Sequence, residues 1–191
     1  MTNLRLFIAV PIPGPIKAEL AAASKIITDA NPHVRAVSLQ GIHLTLKFLG
    51  DTPEQKIPDI RRAMEAVAAE IEQPIRLSCA GVGAFPKPDQ PRVLWAGLEG
   101  DTKPLIQLAR RLDRKLSGVG FSPEKRVFHP HLTLGRIKAP KMLGALRKAM
   151  DSLAERPYGD FTAEALVLYR SELKPTGAVY TSIERVPLPT D

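Results

Sequence analysis

Two of the chain's four histidines open the same tetrad, His43-Leu44-Thr45-Leu46 and His131-Leu132-Thr133-Leu134. Histidine is the side chain whose ordinary pKa lies closest to neutrality, so a pair facing one substrate can supply a general base and a general acid. The hydroxyls of Thr45 and Thr133 can donate to anionic oxygens held between them. A phosphodiester suits this set: its nonbridging oxygens need donors, its attacking water must lose a proton, and its leaving alkoxide must gain one. That chemistry needs no metal. One HLTL segment alone is ordinarily an amphipathic strand with a polar outer face. A second copy 88 residues on, from 43 to 131, asks for a joint explanation.

Side chains alternate along a strand, so His43 and Thr45 share one face while Leu44 and Leu46 point to the other, and the same holds for the second tetrad. Extended strictly, the alternation places Lys47 beside His43 and Phe48 with the buried leucines. It places Arg136 opposite His131, within reach of a cleft only if the strand twists, bulges or ends near Gly135. His129 precedes His131 by two residues, so a metal-binding His129/His131 pair is an alternative, weakened by the lack of a cysteine or carboxylate at ligand spacing.

The offset of 88 recurs elsewhere. It lays the strand-like LRLFIAV of 4–10 on RVLWAGL of 92–98. Each is followed by a helical pattern, Ile16, Leu20, Ala23 and Ile27 in the first half and Leu105, Leu108, Leu112 and Leu116 in the second. After each tetrad comes another helix, the first with Thr52 and Pro53 read as its start, and then a strand, at 74–80 and at 161–170, with a last strand at 178–186. The expected fold is α+β: a single domain of two βαβαβ-like lobes, about 1–80 and 92–186, related by a pseudo-twofold axis, with antiparallel sheets around a central cleft and helices outside. The Gly- and Pro-rich stretch 81–91 is read as the loop that joins them.

With 191 residues, 44% of them hydrophobic and 25% charged, the chain reads as a soluble globular protein. The excess of 27 Lys and Arg over 20 Asp and Glu, net +7, favours anionic partners such as RNA or nucleotides. Cys79 is the only cysteine, which excludes an intrachain disulfide and fits a cytoplasmic location. Prolines 11, 13 and 15 with Lys17 and Glu19 break the early apolar run, and no stretch is long enough for a membrane span. Aromatics at 5% argue against an extended base-stacking platform, although Phe7, Phe48 or Phe128 could touch a base.

The extended motifs HLTLKFLG and HPHLTLGR, with the N-terminal RLFIAV, resemble the two-histidine phosphoesterase superfamily, and within it the RNA 2',3'-cyclic phosphodiesterases also described as 2'-5' RNA ligases. The resemblance implies metal-independent hydrolysis of RNA 2',3'-cyclic phosphate ends to 2'-phosphomonoesters, without a cofactor, and a reversible 2'-5' ligation. It implies His43 as proton donor, His131 as proton acceptor, and Thr45, Thr133 and Arg136 as substrate-binding residues. The implied partners are RNA ends, tRNA fragments among them, or small cyclic nucleotides, bound by a monomer. Two other classes compete: a noncatalytic RNA- or nucleotide-binding module, and a metal-dependent hydrolase using His129 and His131.

Overall fold

The computed structural model describes residues 2–139, 141–175 and 177–191. Its strands are β1 (Asn3–Pro11), β2 (Val34–Ala36), β3 (His43–Pro53), β4 (Arg76–Phe85), β5 (Val93–Gly100), β6 (His131–Ile137), β7 (Pro157–Thr162), β8 (Ala165–Lys174) and β9 (Gly177–Pro187). Its α-helices are α1 (Gly14–Ala30), α2 (Ile57–Ala68), α3 (Thr102–Ser117) and α4 (Leu143–Ser152). The fold is α+β, with two antiparallel sheets ordered β3-β1-β8-β9 and β2-β6-β5-β4-β7.

Leaving β2 aside, the two orders correspond strand for strand, with β3, β1, β8 and β9 matched by β6, β5, β4 and β7. The lobes nevertheless do not divide the chain at 81–91. Residues 81–85 belong to β4, which pairs with β5 through a short connection and with β7 on its other side. Consecutive antiparallel strands joined by a short loop pair by default, so the Gly/Pro stretch makes a hairpin within one sheet. The strand paired with β1 is instead β8, from the far end of the chain. Each sheet therefore draws strands from both halves of the sequence. The expected strand 161–170 is split, β7 and β8 lying in different sheets, with Ala163 N bonded to Ile75 O where the chain crosses over.

Helices are exchanged too. The first-half helix α1 packs with α4 on the sheet containing β6, while α3 packs with α2 on the sheet containing β1. The apolar positions that predicted these helices are the buried ones: Ile16, Leu20, Ala23 and Ile27 on α1, and Leu105, Leu108, Leu112 and Leu116 on α3. The start of α2 differs from expectation. Thr52 and Pro53 end β3, a single 3-10 turn follows, and α2 begins at Ile57 with Pro58 in its first turn.

The leucines of the tetrads anchor the motif strands. Leu44, Leu46, Leu132 and Leu134 are all buried beneath the helices. Truncating one such side chain to alanine typically costs about 2–5 kcal/mol, so the His and Thr faces are held by a packing term larger than any single polar contact on them.

Candidate active site

The two tetrad strands approach one another, β3 against β6. In each, pairing with the central neighbour loses register at the same leucine. Thr45 pairs with Ala9 and Lys47 with Ile8, which leaves Leu46 as an extra residue. Thr133 pairs with Trp95 and Gly135 with Leu94, which leaves Leu134 extra. A bulge of this kind reverses the alternation beyond it. Lys47 therefore turns inward with Ile8, and Phe48, opposite Phe7, comes to the face of His43 and Thr45. In the second copy Gly135 turns inward with Leu94, and Arg136 joins the face of His131 and Thr133.

Two expectations are corrected by the first bulge. Phe48 is not among the buried leucines but 64% exposed. Lys47 does not add charge to the His43 face; it is 5% exposed, and its Nζ donates to Asp113 Oδ1 at 2.5 Å and to Ser122 O at 2.7 Å. Asp113 in turn accepts from Glu124 N at 3.0 Å. This ion pair between a buried lysine and a half-buried aspartate ties β3 to the connector of residues 118–130 that leads into His131. For Arg136 the bulge is the condition the alternation demanded, and its charge contributes to lowering the His131 pKa.

Each histidine has its own support. The His43 ring stacks on Phe7, centroids 4.7 Å apart, with the edge of Tyr180 at 5.2 Å and Tyr169 at 6.0 Å. His131 meets Phe85 edge-on at 5.1 Å, and Phe85 leans on Trp95. Trp95 lies flat over Gly83, where a Cβ would stand 2.3 Å from the indole, so only glycine fits beneath it.

The two rings differ in hydrogen bonding. His131 Nδ1 is 2.7 Å from His129 O. A carbonyl oxygen only accepts, so this contact places the proton on Nδ1 and leaves Nε2 as the basic nitrogen. Burial lowers the pKa of His131, with smaller downward effects of His129 and Arg136 against an upward effect of the carbonyl bond. Burial, and then the charge of Lys17 on the first turn of α1, push His43 down to about 4. Without ligand, both rings are neutral at pH 7.

The metal alternative finds little to build on. His131 Nδ1 is engaged by backbone, His129 is exposed, and among the described residues no three His, Cys, Asp or Glu side chains converge as a ligand set. Cys79 is buried, which pushes its thiol up to about 12, so it offers neither a ligand nor a nucleophile.

The family model of the 2'-5' RNA ligase superfamily matches residues 13–175, a span that includes both tetrads and Arg136. The chain belongs to that superfamily. A relative from Methanocaldococcus jannaschii, named RNA 2',3'-cyclic phosphodiesterase, is 32% identical over 95% of this chain and 99% of its own. TT0787 of Thermus thermophilus has a similar crystal structure, TM-score 0.80 at 32% identity, covering 97% of this chain and 98% of its own. E. coli LigT complexed with 3'-AMP superposes with TM-score 0.75 at 25% identity, covering 98% of this chain and 99% of its own. In this superfamily member His43 and Thr45 share one face of β3, and His131, Thr133 and Arg136 share one face of β6, with Lys47 and His129 outside that set.

Several features of the site escaped the sequence. The orientation of Phe48 needed the bulge at Leu46, the carbonyl of His129 needed the backbone path through Pro130, and the proximity of Lys17 to His43 needed the path of α1. One signal was available: both tetrads are followed at the fifth position from histidine by a large side chain, Phe48 or Arg136, which a shared bulge would expose together.

Proposed function

We propose that the protein is an RNA 2',3'-cyclic phosphodiesterase that opens the cyclic ester with one histidine from each lobe. The observation that supports this reading is the matched bulge, which turns Arg136 to the face of His131 and Thr133 on a strand that approaches the strand of His43 and Thr45. Thr45 and Thr133 donate to the nonbridging oxygens, and the Arg136 guanidinium binds the same phosphate through paired N–H groups. His131 Nε2 takes a proton from water as the water oxygen attacks phosphorus. The bond from phosphorus to O3' breaks, O3' takes a proton from His43, and a 2'-phosphomonoester with a free 3'-hydroxyl remains. If an RNA 5'-hydroxyl replaces water in the same step, the product is a 2'-5' phosphodiester. Both pairs come from one chain, so a monomer suffices.

The resting state has His43 neutral, whereas the acid must carry a proton. The anionic phosphate supplies the remedy, since a negative charge beside His43 favours its protonated form. Phe48, exposed beside Phe7 at 6.0 Å between centroids, offers the face on which the terminal base stacks. The test is an oligoribonucleotide bearing a 2',3'-cyclic phosphate, incubated with protein and excess chelator, with the products resolved by 31P NMR. A 2'-phosphomonoester is expected. A 3'-phosphomonoester, or loss of turnover on chelation, would overturn the reading.

A further inference from the structure

The short strand β2 lies antiparallel to β6 beyond the bulge. Val34 pairs with Ile137, Arg35 with Arg136, and Ala36 with Gly135. Val34 and Ile137 are both buried, so the residues next to them, Arg35 and Arg136, project from the opposite face. Both arginines are exposed. They stand directly opposite one another on strands about 4.8 Å apart, an arrangement in which like charges are destabilising. Among the described residues neither has a carboxylate within 4.0 Å.

Nothing in the packing of β2 requires an arginine here. A three-residue edge strand held by Val34 would be as well served by a neutral residue at 35. An anionic ligand with two charged groups resolves the conflict, one group to each arginine. Arg136 shares its face with His131 and Thr133, whereas Arg35 is one strand farther out from β5.

We propose that Arg35 and Arg136 form a two-phosphate cradle: Arg136 holds the cyclic phosphate, and Arg35 holds the phosphodiester on the 5' side of the terminal nucleoside. The cleft then selects an RNA strand over a cyclic mononucleotide, which lacks that second phosphate. This rests on the phosphodiesterase reading and adds to it the substrate length.

The experiment compares wild type, Arg35→Gln and Arg35→Lys on 2',3'-cyclic AMP and on a trinucleotide ending in a 2',3'-cyclic phosphate, over a series of salt concentrations. Arg35→Gln is expected to lower the ratio of kcat/KM for trinucleotide over mononucleotide about tenfold, the effect of one charge-assisted contact. The loss should fall on KM, and the salt dependence of log KM for the trinucleotide should flatten by about 0.7, the value of one phosphate contact to a single strand. Arg35→Lys restores part of the ratio because it keeps the charge. A ratio equal to wild type in Arg35→Gln, or a loss of the same size on both substrates, would overturn the cradle. Failure of the wild-type protein to hydrolyse either substrate would instead overturn the phosphodiesterase reading.

Discussion

Strands β3 and β6 begin with the same four residues and bulge at the same leucine, yet they present different chemistry beyond it. In β3 the inward residue is the buried Lys47, paired with the half-buried Asp113, and the outward one is the exposed Phe48. In β6 the inward residue is Gly135, where a Cβ would stand 3.1 Å from Arg35 O, and the outward one is Arg136. One lobe adds an apolar face, the other a fixed charge. The histidines diverge in the same way: His43 is stacked among aromatic rings and depressed by burial and Lys17, while His131 is fixed in one tautomer by His129 O. The two His/Thr pairs thus have unlike surroundings, and in the proposed mechanism these differences suit His43 to the acid and His131 to the base.

The largest expected effect comes from removing either member of the pair. His43→Ala and His131→Ala should each lower kcat about a thousandfold, the scale of lost general acid or base catalysis. The double variant should be little worse than either, because the two act in one step. Additive losses, measured as kcat on the same cyclic-phosphate oligonucleotide, would separate the lobes into independent functions.

The lobes should next differ in how they tolerate change at the inward position. Lys47→Met leaves Asp113 without its cation and releases Ser122 O, so it should cost about 3 kcal/mol, the lower end for breaking a buried pair. In a protein of this size that is a fall in Tm of roughly 10 °C by calorimetry. Gly135→Ala has only to shift its neighbours by a few tenths of an ångström, and should cost about 1 kcal/mol. Equal losses would mean that the clamp is not what distinguishes β3.

At the outward position, Arg136→Ala should lower kcat about a hundredfold through the lost bidentate contact. Phe48→Ala should raise KM for nucleotide substrates about tenfold through lost stacking, with less effect on kcat. Steady-state kinetics on one substrate reads both, and a Phe48 effect confined to kcat would contradict the base platform.

These differences were only partly legible in the sequence. The tetrads, their offset and the His/Thr face could be read because period-two alternation over four residues is unambiguous. Lys47 and Phe48 were transposed because the extra residue, Leu46, is apolar like its neighbours and gives no sign of a bulge. Strand pairing was less legible still. Alternation tells which face is buried and not which strand lies alongside, so β4 was assigned to the first half although the short hairpin at 86–92 pairs it with β5. The crossing at Ala163 and Glu164 carries neither glycine nor proline, so 161–170 read as one strand. β2, at three residues, was too short for any periodicity, and with it went the register of Arg35 against Arg136.

The smallest expected effect is in pH dependence. Both histidine pKa values in the free protein are lowered from 6.5, that of His43 to about 4. A profile of kcat/KM, which reports the free enzyme, should therefore have both limbs below pH 6.5. Bound phosphate raises both values, so the kcat profile should lie at higher pH. Lys17→Met removes a cation that favours neutral His43 and should move the lower limb of kcat/KM upward by a fraction of a unit. A limb that stays put would remove Lys17 from the electrostatics of the site.

The division of labour between the lobes is tested most directly by a substrate in which sulfur replaces the bridging 3' oxygen of the cyclic phosphate. A thiolate leaves without needing a proton, its pKa lying near about 8.5. With this substrate His43→Ala should recover most of its lost rate, whereas His131→Ala, still unable to activate water, should remain inactive. Equal rescue of both variants, or rescue of His131→Ala alone, would contradict the assignment of acid to β3 and base to β6.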